Sequence, residues 1–311
     1  MKSSLVIGTR SSPLALWQAE FVKAELEKNF PHLDVSLRRI KTTGDKILDT
    51  PLSQIGDKGL FTREIEKELL AGTIDLAVHS LKDLPTRTPD GLTIAAITRR
   101  EDPHDVLIAK AAESIRSLPA NARVATGSLR RRAQLLHLRP DLEITDMRGN
   151  VGTRFKKFDA ENLDAMILAY AGVHRLGYDA HIAQVIAFDE MLPAVGQGAL
   201  GLETRAGDAE TISMLAALND ADTALCTAAE RSLLRRLEGG CQVPIGANAE
   251  IKNETLTLTA VIASLDGKQL IRAAHAADAK NIIDAEAVGL ALAETLWQQG
   301  GEHILENIRT L

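Results

Sequence analysis

The stretch Glu238-Gly239-Gly240-Cys241-Gln242-Val243-Pro244-Ile245-Gly246 puts a single thiol in a loop with few side chains to shield it. Two glycines free the backbone before the cysteine, and Pro244 stiffens it after. A core cysteine normally lies in an apolar run on a helix or strand. This one lies where another group can approach sulfur, so Cys241 reads as a covalent carrier. The other cysteine, Cys226, falls inside a helical stretch and reads as core packing. Neither has a second Cys or a His at ligand spacing, so no metal site is expected.

A second chemistry is anion binding. Arg130, Arg131 and Arg132 are consecutive, and Arg148, Arg154 and Arg175 follow, in a chain of net charge -6. A basic run alone usually means a solvated helix face, but the setting of this one favours a local anion site. Ala125-Thr126-Gly127-Ser128-Leu129-Arg130-Arg131 reads as strand end, short turn and helix start. Free N–H groups at a helix N-terminus receive anions, and paired arginines add bidentate geometry for carboxylates. Met147-Arg148-Gly149-Asn150-Val151-Gly152-Thr153-Arg154 repeats the arrangement one strand later. Thr9-Arg10-Ser11-Ser12-Pro13 is a further strand-to-helix junction, where Ser12 also serves as a plain N-cap. Asp75–His79 runs into Ser80-Leu81-Lys82-Asp83, at the carboxyl end of a buried strand where open α/β sheets place ligands. Lys82 can bind an anion and Asp83 can stabilise a developing cation; a rim ion pair is the alternative. His79 reads as a satisfied strand-end histidine. Several anion-ready strand ends point to a ligand with several carboxylates.

Such strand ends need α/β layers to hold them. In the first half short apolar strands (Leu5–Gly8, Val35–Ile40, Ile74–His79, Leu92–Ile97) alternate with helices at Pro13–Phe30 and around Ile65. Residues 44–59 read as a long glycine-punctuated loop. Arg99–Pro103 reads as a crossing into a second series with strands at Val106–Ala109, Arg123–Thr126, Glu143–Asp146 and Ala165–Ala169. Helices start near Ser128, Gly152 and Tyr170. Val195-Gly196-Gln197-Gly198 reads as a crossing back into strand Ala199–Glu203. The last third holds a helix over Ala221–Leu237, a hairpin turned at Asp266-Gly267 and a helix over Ala285–Gln298. The expected class is α/β: two lobes with mostly parallel sheets, 1–98 plus 199–217 and 103–194, and a small C-terminal α+β domain, 221–311, carrying the cysteine. The acidic balance disfavours a nucleic-acid binder, and no apolar run approaches a membrane span. Two cysteines and no secretory signal point to a cytoplasmic protein.

The whole chain resembles the porphobilinogen deaminase family. The carrying motifs are Thr9–Gln18, Gly56–Phe61, His79–Asp83, Ser128–Arg131, Arg148–Arg154, Leu192–Gly198 and Glu238–Gly246. The resemblance implies two lobes like those of type II periplasmic binding proteins with a cleft between them, and a third domain. It implies a dipyrromethane cofactor tethered to Cys241 by a thioether. Four porphobilinogen molecules add to it head to tail with loss of ammonia, and the linear tetrapyrrole is hydrolysed off. By the same resemblance Lys82, Thr126, Ser128, Arg130 and Arg131, with Asp83, hold the cofactor. Arg10, Ser12, Arg148, Arg154 and Arg175 hold substrate or growing chain, Gln197 lines the cleft, and Lys58 lies in a covering loop. Asp83 is the catalytic group, stabilising the cationic stages; the sequence does not separate this from proton transfer. A monomer is expected. Gln54 and Gly127 depart from the family pattern, where many members have lysine and serine. A solute-binding protein without chemistry would share the lobes. The Gly-Gly-Cys loop, the extra α+β domain and the absent export signal speak against it.

Overall fold

The computed structural model describes residues 2–46, 62–237 and 243–309. Its residues form two compact units, Met1–Glu101 with Gly198–Ala224, and Asp102–Gln197 with Leu225–Leu311. The first unit opens with β1 (Ser4–Thr9), α1 (Pro13–Asn29), β2 (Asp34–Arg39), the single turn α2 (Thr43–Lys46), α3 (Arg63–Leu70), β3 (Leu76–Ser80) and β4 (Leu92–Ile97). The second holds β5 (Asp105–Ala109), β6 (Arg123–Ala125), α4 (Leu129–Leu138), β7 (Glu143–Thr145), α5 (Val151–Ala160), β8 (Ala165–Ala169), α6 (Tyr170–Arg175) and β9 (Ile182–Ile186). The chain returns to the first unit for β10 (Leu200–Arg205) and α7 (Ala209–Leu215), and α8 (Ala221–Arg236) leads back. The second unit closes with β11 (Ile245–Lys252), β12 (Thr255–Ala263), β13 (Leu270–Asp278), α9 (Ile282–Leu296) and α10 (Glu302–Arg309).

The sheet of the first unit has the order β2-β1-β3-β10-β4. β1 is parallel to β2 and β3, while β10 runs antiparallel between β3 and β4. The larger sheet of the second unit has the equivalent order β7-β6-β8-β5-β9, with β5 antiparallel between β8 and β9. In both sheets the reversed strand is the one that follows a crossing. The expectation of parallel-rich α/β lobes therefore holds, with one reversal in each.

Burial on both faces explains the continuous apolar runs in these strands. Leu5 and Ile7 pack with Leu76, Val78, Leu200 and Leu202 against Ala19, Val22 and Leu26 of α1. Ala77 and Ile74 pack on the other side with Ile65 and Leu69 of α3. α1 starts where the sequence places it: Ser12 Oγ accepts from Ala15 N at 3.3 Å, and Pro13 takes the first turn.

β11, β12 and β13 form an antiparallel meander. Its inner face, including Ala247, Ala249, Leu256, Leu258 and Ile262, shares one core with Leu233 of α8 and Leu292 and Leu296 of α9. Cys226 lies in this same core, 6% exposed. Glu230 of α8 is fully buried and serves two elements. Its Oε2 accepts from Gly196 N at 2.7 Å and its Oε1 from Ala249 N at 2.8 Å. Among the described residues no helix is long and apolar enough to cross a membrane.

Candidate functional site

In the first unit the site residues gather at the carboxyl ends of the parallel strands β1 and β3. Arg10 and Ser12 follow β1, and a short 3-10 turn, Leu81–Asp83, follows β3. Gln18, buried on α1, joins the two ends by donating from Nε2 to Ser80 Oγ at 2.9 Å. A hollow here is lined by Arg10, Ser12, Gln18, Thr62, His79, Ser80 and Asp83. Asp83 is exposed and makes no ion pair among the described residues, so its charge stays available to a ligand. Lys82, beside it, is half-buried. His79 has the expected partner: its Nε2 lies 3.1 Å from Glu203 Oε2.

In the second unit the expected residues gather at the carboxyl ends of β6, β7 and β8. Thr126 follows β6 and accepts from Ser128 N at 3.3 Å. Ser128 caps α4 by accepting from Arg131 N at 3.5 Å, and Asn150 caps α5 by accepting from Thr153 N at 2.9 Å. Arg130 and Arg131 then turn inward rather than out to solvent. They converge on Asp105, which has no exposed surface. Arg130 Nη1 donates to Asp105 Oδ2 at 2.7 Å; Arg131 donates to Oδ1 from Nη2 at 2.7 Å and from Nε at 3.1 Å. Arg130 also reaches Leu192 O at 2.6 Å. Burial alone would raise the Asp105 carboxyl, but the two guanidiniums hold it well below the usual carboxylate range. Two guanidiniums against one carboxylate leave one positive charge in excess at the start of α4. That excess, with the helix N-terminus, suits a carboxylate ligand.

Gln197 is fully buried, and its Nε2 donates to Asp105 Oδ1 at 2.9 Å and to Pro103 O at 2.7 Å. It thereby ties the segment before β10 to the segment before β5. Asp105 itself escaped the sequence reading. The available signal was a carboxylate opening an otherwise apolar strand, with two arginines 25 and 26 residues on.

Arg148, Arg154 and Arg175 are half-buried. Arg154 Nε donates to Gly149 O at 2.9 Å, which holds the turn before α5. Arg148 Nη1 is buried and has no hydrogen-bond partner among the described residues. A buried donor without a partner is costly, so this atom is suited to an anion that the protein does not itself supply. Gly127 sits where a side chain would collide: a Cβ there would lie 2.9 Å from Met147 O and 3.1 Å from Asp146 Oδ1. Cys241, Lys58 and Gln54 lie outside the described residues.

With this geometry in place, comparison with known proteins decides the family. Residues 5–213 match the family model described as porphobilinogen deaminase, dipyromethane cofactor binding domain, and residues 224–298 match that of the porphobilinogen deaminase C-terminal domain. The chain belongs to the porphobilinogen deaminase family. A porphobilinogen deaminase of Chloroherpeton thalassium is 61% identical over 311 residues, covering 100% of this chain and 99% of the relative. One from Chlorobaculum tepidum is 58% identical over 309 residues, covering 99% of each. Among solved structures, the methionine binding protein MetQ gives a TM-score of 0.44 at 12% identity, over 71% of this chain and 92% of that one. Porphobilinogen deaminases carry a dipyrromethane cofactor, and attachment through a cysteine is part of the family.

Proposed function

We propose that the chain condenses four porphobilinogen molecules head to tail, with loss of ammonia, and then releases hydroxymethylbilane by hydrolysis. The observation that carries this reading is the 61% identity to a porphobilinogen deaminase along the full chain. The work is divided among three domains, with the cofactor thioether at Cys241. The dipyrromethane supplies the terminal pyrrole carbon to which the first substrate is joined.

The residues described above fit such a group. Its side chains are carboxylates; the Arg130–Asp105–Arg131 cluster offers excess positive charge, and Arg148 Nη1 offers a cationic donor with no partner among the described residues. Lys82, Thr126, Ser128, Arg130 and Arg131 would hold the cofactor. Arg10, Ser12, Arg148, Arg154, Arg175 and Lys58 would hold substrate and growing chain. Gln197 acts at one remove by fixing Asp105. Asp83, with an uncommitted charge, stabilises the cationic stages of each condensation by preorganised electrostatics. The enzyme works as a cytoplasmic monomer.

The deciding experiment is the mass of the intact protein. It should exceed the sequence mass by one dipyrromethane, and Cys241→Ser should remove the increment. A purified chain that is bare, and stays bare when given porphobilinogen, sinks the reading. Arg148→Ala should stall chain extension, because losing one charged contact to a carboxylate costs on the order of 1.5–3 kcal/mol. The readout is the distribution of enzyme-bound intermediates by mass; a wild-type distribution would contradict the role given to Arg148.

A further inference from the structure

We propose that His79, oriented by Glu203, receives the proton released at each condensation, leaving Asp83 to stabilise the cation. The inference rests on the function proposed above. β3 and β10 pair antiparallel, with Gly201 opposite His79 and Glu203 opposite Ala77. The His79 and Glu203 side chains therefore stand on one face of the sheet, two residues apart. They are 7% and 1% exposed, in a layer otherwise built from Ala77, Ile65 and Leu69. Burying a histidine and a carboxylate there does little for stability compared with an apolar pair.

The hydrogen bonding gives the pair a direction. Nε2 of His79 is committed to Glu203 at 3.1 Å. The remaining nitrogen, Nδ1, has no partner among the described residues. His79 also lines the hollow that contains Asp83, Arg10 and Ser12. A carboxylate that fixes one imidazole nitrogen leaves the other free to act as a base. The charged groups around the ring are Glu203 from β10, Glu66 from α3, Arg10 after β1 and Asp83 after β3. Burial raises the Glu66 carboxyl, and the like charge of Glu203 adds to this.

A bond forms between the substrate methylene, from which ammonia has departed, and the terminal pyrrole carbon of the growing chain. The C–H bond at that pyrrole carbon breaks and its electron pair returns to the ring. The proton passes to Nδ1 and leaves through the hollow to solvent before the next addition.

The test uses the holoenzyme. Histidine-selective ¹⁵N NMR of the unsubstituted protein should show His79 protonated on Nε2 and bare on Nδ1. His79→Gln should lower kcat about 100-fold, the lower end for general acid–base catalysis, with the cofactor mass and KM retained. Glu203→Gln should move the acidic limb of the kcat profile to lower pH, because the imidazolium loses its carboxylate. An Nδ1-protonated ring overturns the inference even if the variants do not fold. So does a folded His79→Gln enzyme with wild-type kcat and pH profile. A wild-type protein lacking cofactor mass and turnover overturns the function itself; normal wild-type turnover beside an indifferent His79→Gln overturns this inference alone.

Discussion

Asp83→Asn should keep its cofactor and its stability and lose turnover by about 100- to 1,000-fold, the usual effect of removing one preorganised electrostatic contact. The separation follows from position. Asp83 is exposed on the short turn after β3 and makes no ion pair among the described residues. Replacing it should change folding stability by no more than about 0.5 kcal/mol, as for other surface sites. Its neighbours in the hollow, Arg10 and Ser12, supply positive charge and a hydroxyl but no second free carboxylate. Among the described residues that line the hollow, no other carboxylate can take over the stabilisation of a cation. Asp83→Glu keeps the charge but moves it by one methylene, and should also be slow, because preorganisation depends on where the charge sits. Single-turnover rates, intact mass and melting temperature together make the test. Near-wild-type rates in both variants would remove Asp83 from the mechanism.

Asp105→Asn should have the largest effect on stability. It leaves Arg130 and Arg131 buried at 5% and 6% exposure with no counter-charge between them. Breaking a buried ion pair from one side costs about 3–5 kcal/mol. The Asn amide also points a donor toward groups that themselves donate: Arg130, Arg131 and Gln197. Denaturant midpoints of wild type and variant would measure the loss, and a difference below about 1 kcal/mol would show that the cluster is not paired as described. The pH dependence has a definite sign. The folded Asp105 carboxyl is depressed relative to its unfolded value of about 4, so its contribution is complete above that pH. It drains away as pH falls below the unfolded value toward the folded one. Wild type should therefore lose stability more steeply than Asp105→Asn over the acid range.

The contrast between these two aspartates shows what a sequence displays. Asp83 lies in a dense motif, Ser80-Leu81-Lys82-Asp83, at a strand end, and its placement was legible from the strand before it. Asp105 acts through residues 25 and 26 positions away, a pairing that only the sheet order β8-β5-β9 creates. The same limit applies to Glu203 opposite β3 and to Glu230 beneath Gly196. Helices with clear caps, such as α1, α4 and α5, were readable because their signals are local. Strand β11 was not, since Gly246, Ala247 and Ala249 pack a core without the bulky residues that mark strands. Helix α10 was missed because Gly300-Gly301 reads as a stop. Gly300 instead adopts φ +101°, and the chain turns and resumes a helix whose Ile304 and Leu305 join the core. The spread of arginines suggested anion binding, but not that two of them are held on a buried carboxylate.

The turn at Gly127 has a steric consequence. The Met147 carbonyl lies 2.9 Å from where a Cβ would stand. Any side chain placed here would meet backbone, not a pliable neighbour. The segment carrying Met147 would have to retreat before the position could admit one.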